Sequence, residues 1–193
     1  MAKDDTLRGL SFGLFDDSFL SKEHPKVNAL NWQAFGGDRW HRVPAGGEFS
    51  YYNKRDQRMA LAPSGPNGVS FEKDAARFHI SFMIGDDQAR YQSLDRIREA
   101  GMQCGYKFHV EKLESDGKAT RGTITNRGTA PIYFDAYPAI FLSGSEVRST
   151  VSLKHLLPGE QRQFAIAARA DASNFRIACD RLVEGQFIPF TSK

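Results

Sequence analysis

The feature that most limits what this chain can fold into is a train of short, alternating apolar segments running from Cys104 to Thr191. In Cys104-Gly105-Tyr106-Lys107-Phe108-His109-Val110-Glu111, apolar residues fall on every second position. That period puts alternate side chains on opposite faces of a β-strand, one toward a core and one toward water. Glu114-Ser115-Asp116-Gly117-Lys118 reads as a hairpin turn, because Asp-Gly supplies the positive φ angles a tight turn needs. Further strands are expected over 119–126, 132–142, 148–153, 163–168, 175–179 and 186–191, with breaks at Asn126-Arg127-Gly128-Thr129-Ala130-Pro131 and Leu157-Pro158-Gly159-Glu160. Short strands and turns at this spacing point to an immunoglobulin-like antiparallel β-sandwich over residues 103–193. The alternation turns Cys104 and Cys179 inward, where free thiols pack as small apolar groups. A disulfide across the core is the other reading. Neither cysteine sits in a CxxC pair, so zinc is not expected.

Residues 1–102 follow another pattern. Leu10-Ser11-Phe12-Gly13-Leu14-Phe15 is a short apolar run ending in Asp16-Asp17-Ser18, as in a buried strand whose C-terminal end carries polar groups. Residues 76–84 repeat it, ending in Gly85-Asp86-Asp87, and Pro44 to Tyr51 is a third candidate strand. A helix is expected over Gln92–Ala100, stopped by Gly101, and a weaker one over Phe71–Ala76. Strands that end in acidic residues and are joined by long connections suggest part of a (β/α)-barrel, in which chemistry sits at the C-terminal strand ends. The 193 residues are too few for a whole barrel of about 250 residues beside a sandwich. The expected fold class is therefore α+β, mainly β: a partial barrel-like segment, then the sandwich.

Glu48 is the leading candidate for chemistry. Gly46 and Gly47 precede it and let the backbone approach closely, and Phe49, Tyr51 and Tyr52 follow. A carboxylate beside aromatic rings, with a second carboxylate across the sugar, is what glycoside cleavage requires. A glutamate at a surface turn is the plainer reading. Asp16 and Asp17 can orient sugar hydroxyls or bind a cation, or else cap the next segment. Asp86 and Asp87 carry the same alternatives. Trp32, Trp40 and His41 lie in the first long connection, where indole faces stack on sugars or anchor a loop to the core. Tyr51 joins the binding set. His79, inside an apolar run, reads as a ligand-binding group or a satisfied core histidine.

The bulk composition mostly excludes. A net charge of +3 with interspersed signs gives no nucleic-acid arm. No apolar run approaches the about 20 residues of a membrane span, and the polar start is not a secretory signal, so the chain as written is expected in the cytoplasm. No Walker loop, dinucleotide fingerprint or HExxH motif occurs, and no cofactor or metal is expected.

The segments Gly9-Leu10-Ser11-Phe12-Gly13-Leu14-Phe15-Asp16-Asp17-Ser18-Phe19-Leu20, Pro44-Ala45-Gly46-Gly47-Glu48, His79-Ile80-Ser81-Phe82, Cys104-Gly105-Tyr106-Lys107-Phe108, Asn126-Arg127-Gly128-Thr129-Ala130-Pro131-Ile132-Tyr133 and Leu156-Leu157-Pro158-Gly159-Glu160 keep one order along the chain. Together they resemble a bacterial family known as domain of unknown function 4832, whose members look like glycoside hydrolases with a (β/α)-barrel followed by a β-sandwich. The resemblance implies that residues 1 to about 102 are the last strands and helices of a barrel, with Glu48 near the nucleophile position of a retaining enzyme. It implies a carbohydrate partner and a secreted protein. The barrel strands ahead of Leu10, including the one with the acid/base partner, would come from an upstream half or from a second copy of the chain. The alternative function is a non-catalytic carbohydrate-binding or structural module.

Overall fold

The computed structural model describes residues 12–51, 53–85, 87–142, 144–171 and 173–192. The fold is mixed α and β and mainly β, with ten strands in three sheets among the described residues. The chain divides between Gly105 and Tyr106 into two compact units.

In the first unit, β1 (Phe15–Phe19), β2 (Ala45–Phe49) and β3 (Ile80–Ile84) form a parallel sheet in sequential order. Parallel neighbours need long crossovers, and helices supply them. α1 (Ala29–Ala34) lies between β1 and β2, α2 (Lys54–Met59) and α3 (Phe71–Arg77) between β2 and β3, and α4 (Leu94–Gly101) follows β3. Three of these helices begin at side-chain caps. Asn53 accepts from the N–H groups of Arg55 and Asp56, Ser70 from Lys73, and Ser93 from Arg96. Each such cap is worth about 1 kcal/mol.

Helices α1, α3 and α4 pack against the sheet through one core. A single core joins Phe19, Ala45, Phe49 and Ile80 of the strands to Trp32 of α1, Phe71 and Ala75 of α3, and Ala100 of α4. The two glycines of β2 show which side is which. A Cβ on Gly47 would lie 3.0 Å from the Phe19 Cβ and 3.1 Å from the Met83 Sδ, toward the core. A Cβ on Gly46 would collide with the ring of Phe82, on the opposite side.

The strand boundaries differ from the expectation in two places. β1 starts at Phe15, so Asp16 and Asp17 lie inside the strand rather than at its end. Leu10 and Ser11 lie outside the described residues. The run from Ala76 to Ile84 is not one strand. α3 continues to Arg77, His79 takes a left-handed φ of 51°, and only then does β3 begin.

The second unit holds β4 (Phe108–Ser115), β5 (Thr120–Asn126), β6 (Tyr137–Leu142), β7 (Ser145–Arg148), β8 (Gln161–Ile166), β9 (Phe175–Ala178) and β10 (Phe190–Ser192). One sheet has the order β10-β4-β5-β8 and is antiparallel except for the parallel β10–β4 pair. The other is antiparallel in the order β7-β6-β9. Both sheets contribute to one core, with Phe108, Ile124 and Phe164 from the first and Ile140, Phe175 and Ile177 from the second. The hairpin turn forms as expected, with Gly117 at φ 89°.

Several expectations are corrected in this half, and the last strand is Phe190–Ser192 rather than 186–191. Residues 132–136 are irregular, so the third strand is confined to Tyr137–Leu142. The fourth is Ser145–Arg148 rather than 148–153. Cys104 does not face the core that Cys179 packs against. It follows α4 in the first unit, its Sγ 3.9 Å from the Ala100 carbonyl oxygen. Gly105, at φ 71°, turns the chain there and donates its N–H to the Ile80 carbonyl, which ends any strand pattern before Tyr106. Both cysteines are free thiols.

Asn126 joins the two most recognisable motifs of this half. Its Nδ2 donates to the carbonyls of Ala130 (2.9 Å) and Leu156 (2.8 Å). Its Oδ1 accepts from the N–H groups of Lys107 (3.1 Å) and Gly128 (2.9 Å). The side chain is fully buried, and an orphaned buried polar group costs about 1–3 kcal/mol. Asn126→Ala is therefore expected to destabilise the second unit by about 3 kcal/mol or more, read from its chemical-denaturation midpoint.

Candidate functional site

Side chains alternate across a strand. With Gly47 and buried Phe49 turned to the core, Glu48 shares the opposite face of the sheet with Gly46. That face carries no helix from this unit's core. Phe15 and Phe82, the register partners of Gly46 on β1 and β3, lie on it with their rings stacked at 6.2 Å. They remain 49% and 44% exposed, and Ile84, the register partner of Glu48, is 46% exposed. Such apolar exposure is unusual for an all-parallel sheet, which normally has both faces covered.

Asp17 is exposed while Asp16 is buried, so the two point to opposite faces. Asp16 pairs with Gly47, and Asp17 and Glu48 are the next residues on two strands about 4.8 Å apart. The register of β1 becomes irregular directly after Asp16. The open face thus presents two carboxylates beside a pair of aromatic rings. Tyr51, exposed, lies two residues beyond β2 at the same end of the sheet. Among the described residues, the Glu48 carboxylate has no ion-pair partner.

Asp16 does something else. Its Oδ1 accepts from the Ser18 N–H at 2.8 Å and from the Asn28 Nδ2 at 2.5 Å, and its Oδ2 bonds the His24 Nδ1. His24 and Asn28 bracket a single π-helical turn, His24–Asn28, which aims both side chains back at the strand. Asp16 is a buried structural acceptor and is closed to a ligand. On the far side of His24, Asp74 of α3 has its Oδ2 3.8 Å from the His24 Nε2. Burial pushes the Asp74 carboxyl above its ordinary range, and His24 and Arg77 pull it part of the way back.

The remaining predicted residues do not join Glu48. Trp32 is buried against Phe78 at 5.5 Å, so its indole is a core anchor. Trp40 stacks on His79 at 3.4 Å and 11° and meets His41 edge-on at 4.1 Å. These three form one cluster, but they precede β2 and β3 and so lie at the N-terminal end of the sheet. Glu48 stands at the other end, a strand length of roughly 13 Å away. Asp87 pairs with Arg90 at 2.9 Å, while Tyr52 and Asp86 lie outside the described residues.

Sequence reasoning missed Phe15 and Phe82 as site residues and missed His24, Asn28 and Asp74 entirely. The strand parity of Phe15/Asp17, Gly46/Glu48 and Phe82/Ile84 could have found the first group. No local pattern links His24 to Asp74. Among the described residues, no group of three or more His, Cys, Asp or Glu could hold a metal ion, and no helix is long and apolar enough to cross a membrane.

The different roles of the adjacent aspartates can be measured. Asp16→Ala is expected to cost about 3 kcal/mol, because it orphans buried His24. Asp17→Ala is expected to change stability by no more than about 0.5 kcal/mol. Urea midpoints of the two variants compare them directly.

The chain matches no protein-family model, no curated protein and no solved structure.

Proposed function

We propose that this chain is the C-terminal portion of a carbohydrate-active protein of the glycoside hydrolase type. In this reading the first unit is the last part of a (β/α)-barrel and the second an immunoglobulin-like sandwich. What supports the barrel is one-sidedness: sequential parallel strands, a core shared with α1, α3 and α4, and an apolar opposite face of the kind that lines a barrel interior. The resemblance to domain of unknown function 4832 is consistent with it.

The observation that carries the functional reading is the direction of Glu48. Its carboxylate leaves the C-terminal end of the middle strand on the open face, beside Asp17 and the Phe15–Phe82 pair. A retaining glycosidase needs a nucleophilic carboxylate with a second carboxyl group about 5 Å away. Glu48 is the proposed nucleophile, and Asp17 the nearest carboxylate to orient a sugar hydroxyl or to serve as the second group. The stacked rings offer apolar faces for a pyranose. Further barrel strands, from an upstream half or a second copy, would close the site and exclude water.

The stacked pair also favours a second reading, in which the open face binds glycan without cleaving it. One experiment separates the two. In the protein with a complete barrel, Glu48→Gln is expected to lower glycoside turnover on the order of 10³-fold or more while leaving folding unchanged. Wild-type turnover in that variant would sink the assignment. Glycan binding with no turnover even in the wild type would leave the second reading.

A further inference from the structure

Behind β1, on the face away from Glu48, lie three titratable side chains that the proposed chemistry does not use. The side chains of Asp16, His24 and Asp74 are 0%, 3% and 9% exposed. They come from β1, from the π-helical turn and from α3. Phe19 and Phe78 wall in the imidazole, with ring centroids at 4.6 Å and 4.9 Å.

Asp16 sets the tautomer. Its carboxylate accepts at the His24 Nδ1, so Nδ1 carries a proton and Nε2 is the nitrogen left facing Asp74. Nε2 is buried, takes no hydrogen bond among the described residues, and faces the Asp74 Oδ2 at 3.8 Å. Asn28 adds a neutral donor to Asp16, and Arg77 is the other charge acting on Asp74.

We propose that the buried His24–Asp74 pair carries one proton in the folded state, which holds the β1–α1 connection against α3 and makes the stability of the first unit depend on pH. With the proton present, the pair is either an imidazolium facing a carboxylate or two neutral groups. Without it, a buried carboxylate faces an imidazole lone pair, an arrangement with no compensating interaction.

The segment held by this pair is strained. Leu20, the residue directly after β1, is fully buried yet adopts φ 66°. A bulky side chain stays in that region only where its surroundings over-determine it. Here Asn67 grips the carbonyls of Leu20 (2.7 Å) and Ser21 (2.5 Å), and His24 and Asn28 hold the following turn to Asp16. The strained turn lies at the same end of the sheet as Glu48.

The sign follows from burial. The Asp74 carboxyl is pushed above its ordinary value in the folded state. Its contribution to stability is therefore full below the ordinary aspartate range, about pH 4, and is lost as pH rises through the raised value.

Both tryptophans, Trp32 and Trp40, lie in the first unit, so tryptophan emission reports its unfolding alone. Urea midpoints of the full chain should be measured from about pH 4 upward for the wild type and for Asp74→Asn. The wild-type midpoint is expected to fall with pH relative to the variant, which loses that part of the slope and is the more stable of the two at neutral pH. Parallel profiles, or a variant less stable at every pH, would overturn the proposal. If Asp74→Asn does not fold, long-range ¹H–¹⁵N correlation on the wild type still decides. A proton on Nδ1 of His24, toward Asp16, is expected, and a neutral ring protonated on Nε2 alone would overturn it.

Discussion

The alternation of side chains along Ala45–Phe49 governs the first unit. Gly47 faces the core, where a Cβ would lie 3.0 Å from the Phe19 Cβ and 3.1 Å from the Met83 Sδ and would force its neighbours to give way. Gly46 leaves room on the other side for the Phe82 ring to lie over the strand. Between these glycines and buried Phe49, Glu48 has one direction left, toward the open face. A slip of one residue would bury the carboxylate among Phe19, Phe71 and Ile80, at a cost of several kcal/mol for an unpaired charge. The backbone thus holds Glu48 on the face where apolar rings remain uncovered.

Each unit then uses one polar side chain to hold irregular chain in place. In the first it is Asp16, whose two oxygens take three bonds and anchor the turn after β1. In the second it is Asn126, whose amide satisfies four backbone groups around the irregular stretch before β6. The comparison separates scaffold from site. Asp16 and the Asn126 motif look functional in one dimension, yet both are spent inside the fold. Among the described residues, Glu48 and Asp17 show no such internal duty, and that is what makes them candidates for chemistry.

Local patterns made much of the second unit legible. Period-two alternation and Asp-Gly located β4, the hairpin and β5, because those signals involve neighbours in sequence. The same reading extended one strand back through Cys104, where Gly105 turns the chain to bond Ile80, a contact that no local pattern encodes. It also ran Ala76 to Ile84 together as one strand, since the left-handed break at His79 leaves no mark in hydrophobicity. Glu48 stood out because glycines and aromatics flank it. The burial of Asp16 and Trp32 was not legible, because it depends on His24, Asn28 and Phe78 arriving from other elements. The Trp40–His79 stack was hidden for the same reason.

The proposed role of Glu48 as a nucleophile on a sugar can be read by covalent trapping. A 2-deoxy-2-fluoro glycosyl fluoride loses fluoride on attack by the nucleophilic carboxylate and leaves a slowly hydrolysed glycosyl ester. In the protein with its barrel complete, peptide mapping by mass spectrometry is predicted to place that ester on Glu48. An ester on Asp17 or on any other carboxylate would contradict the assignment of Glu48.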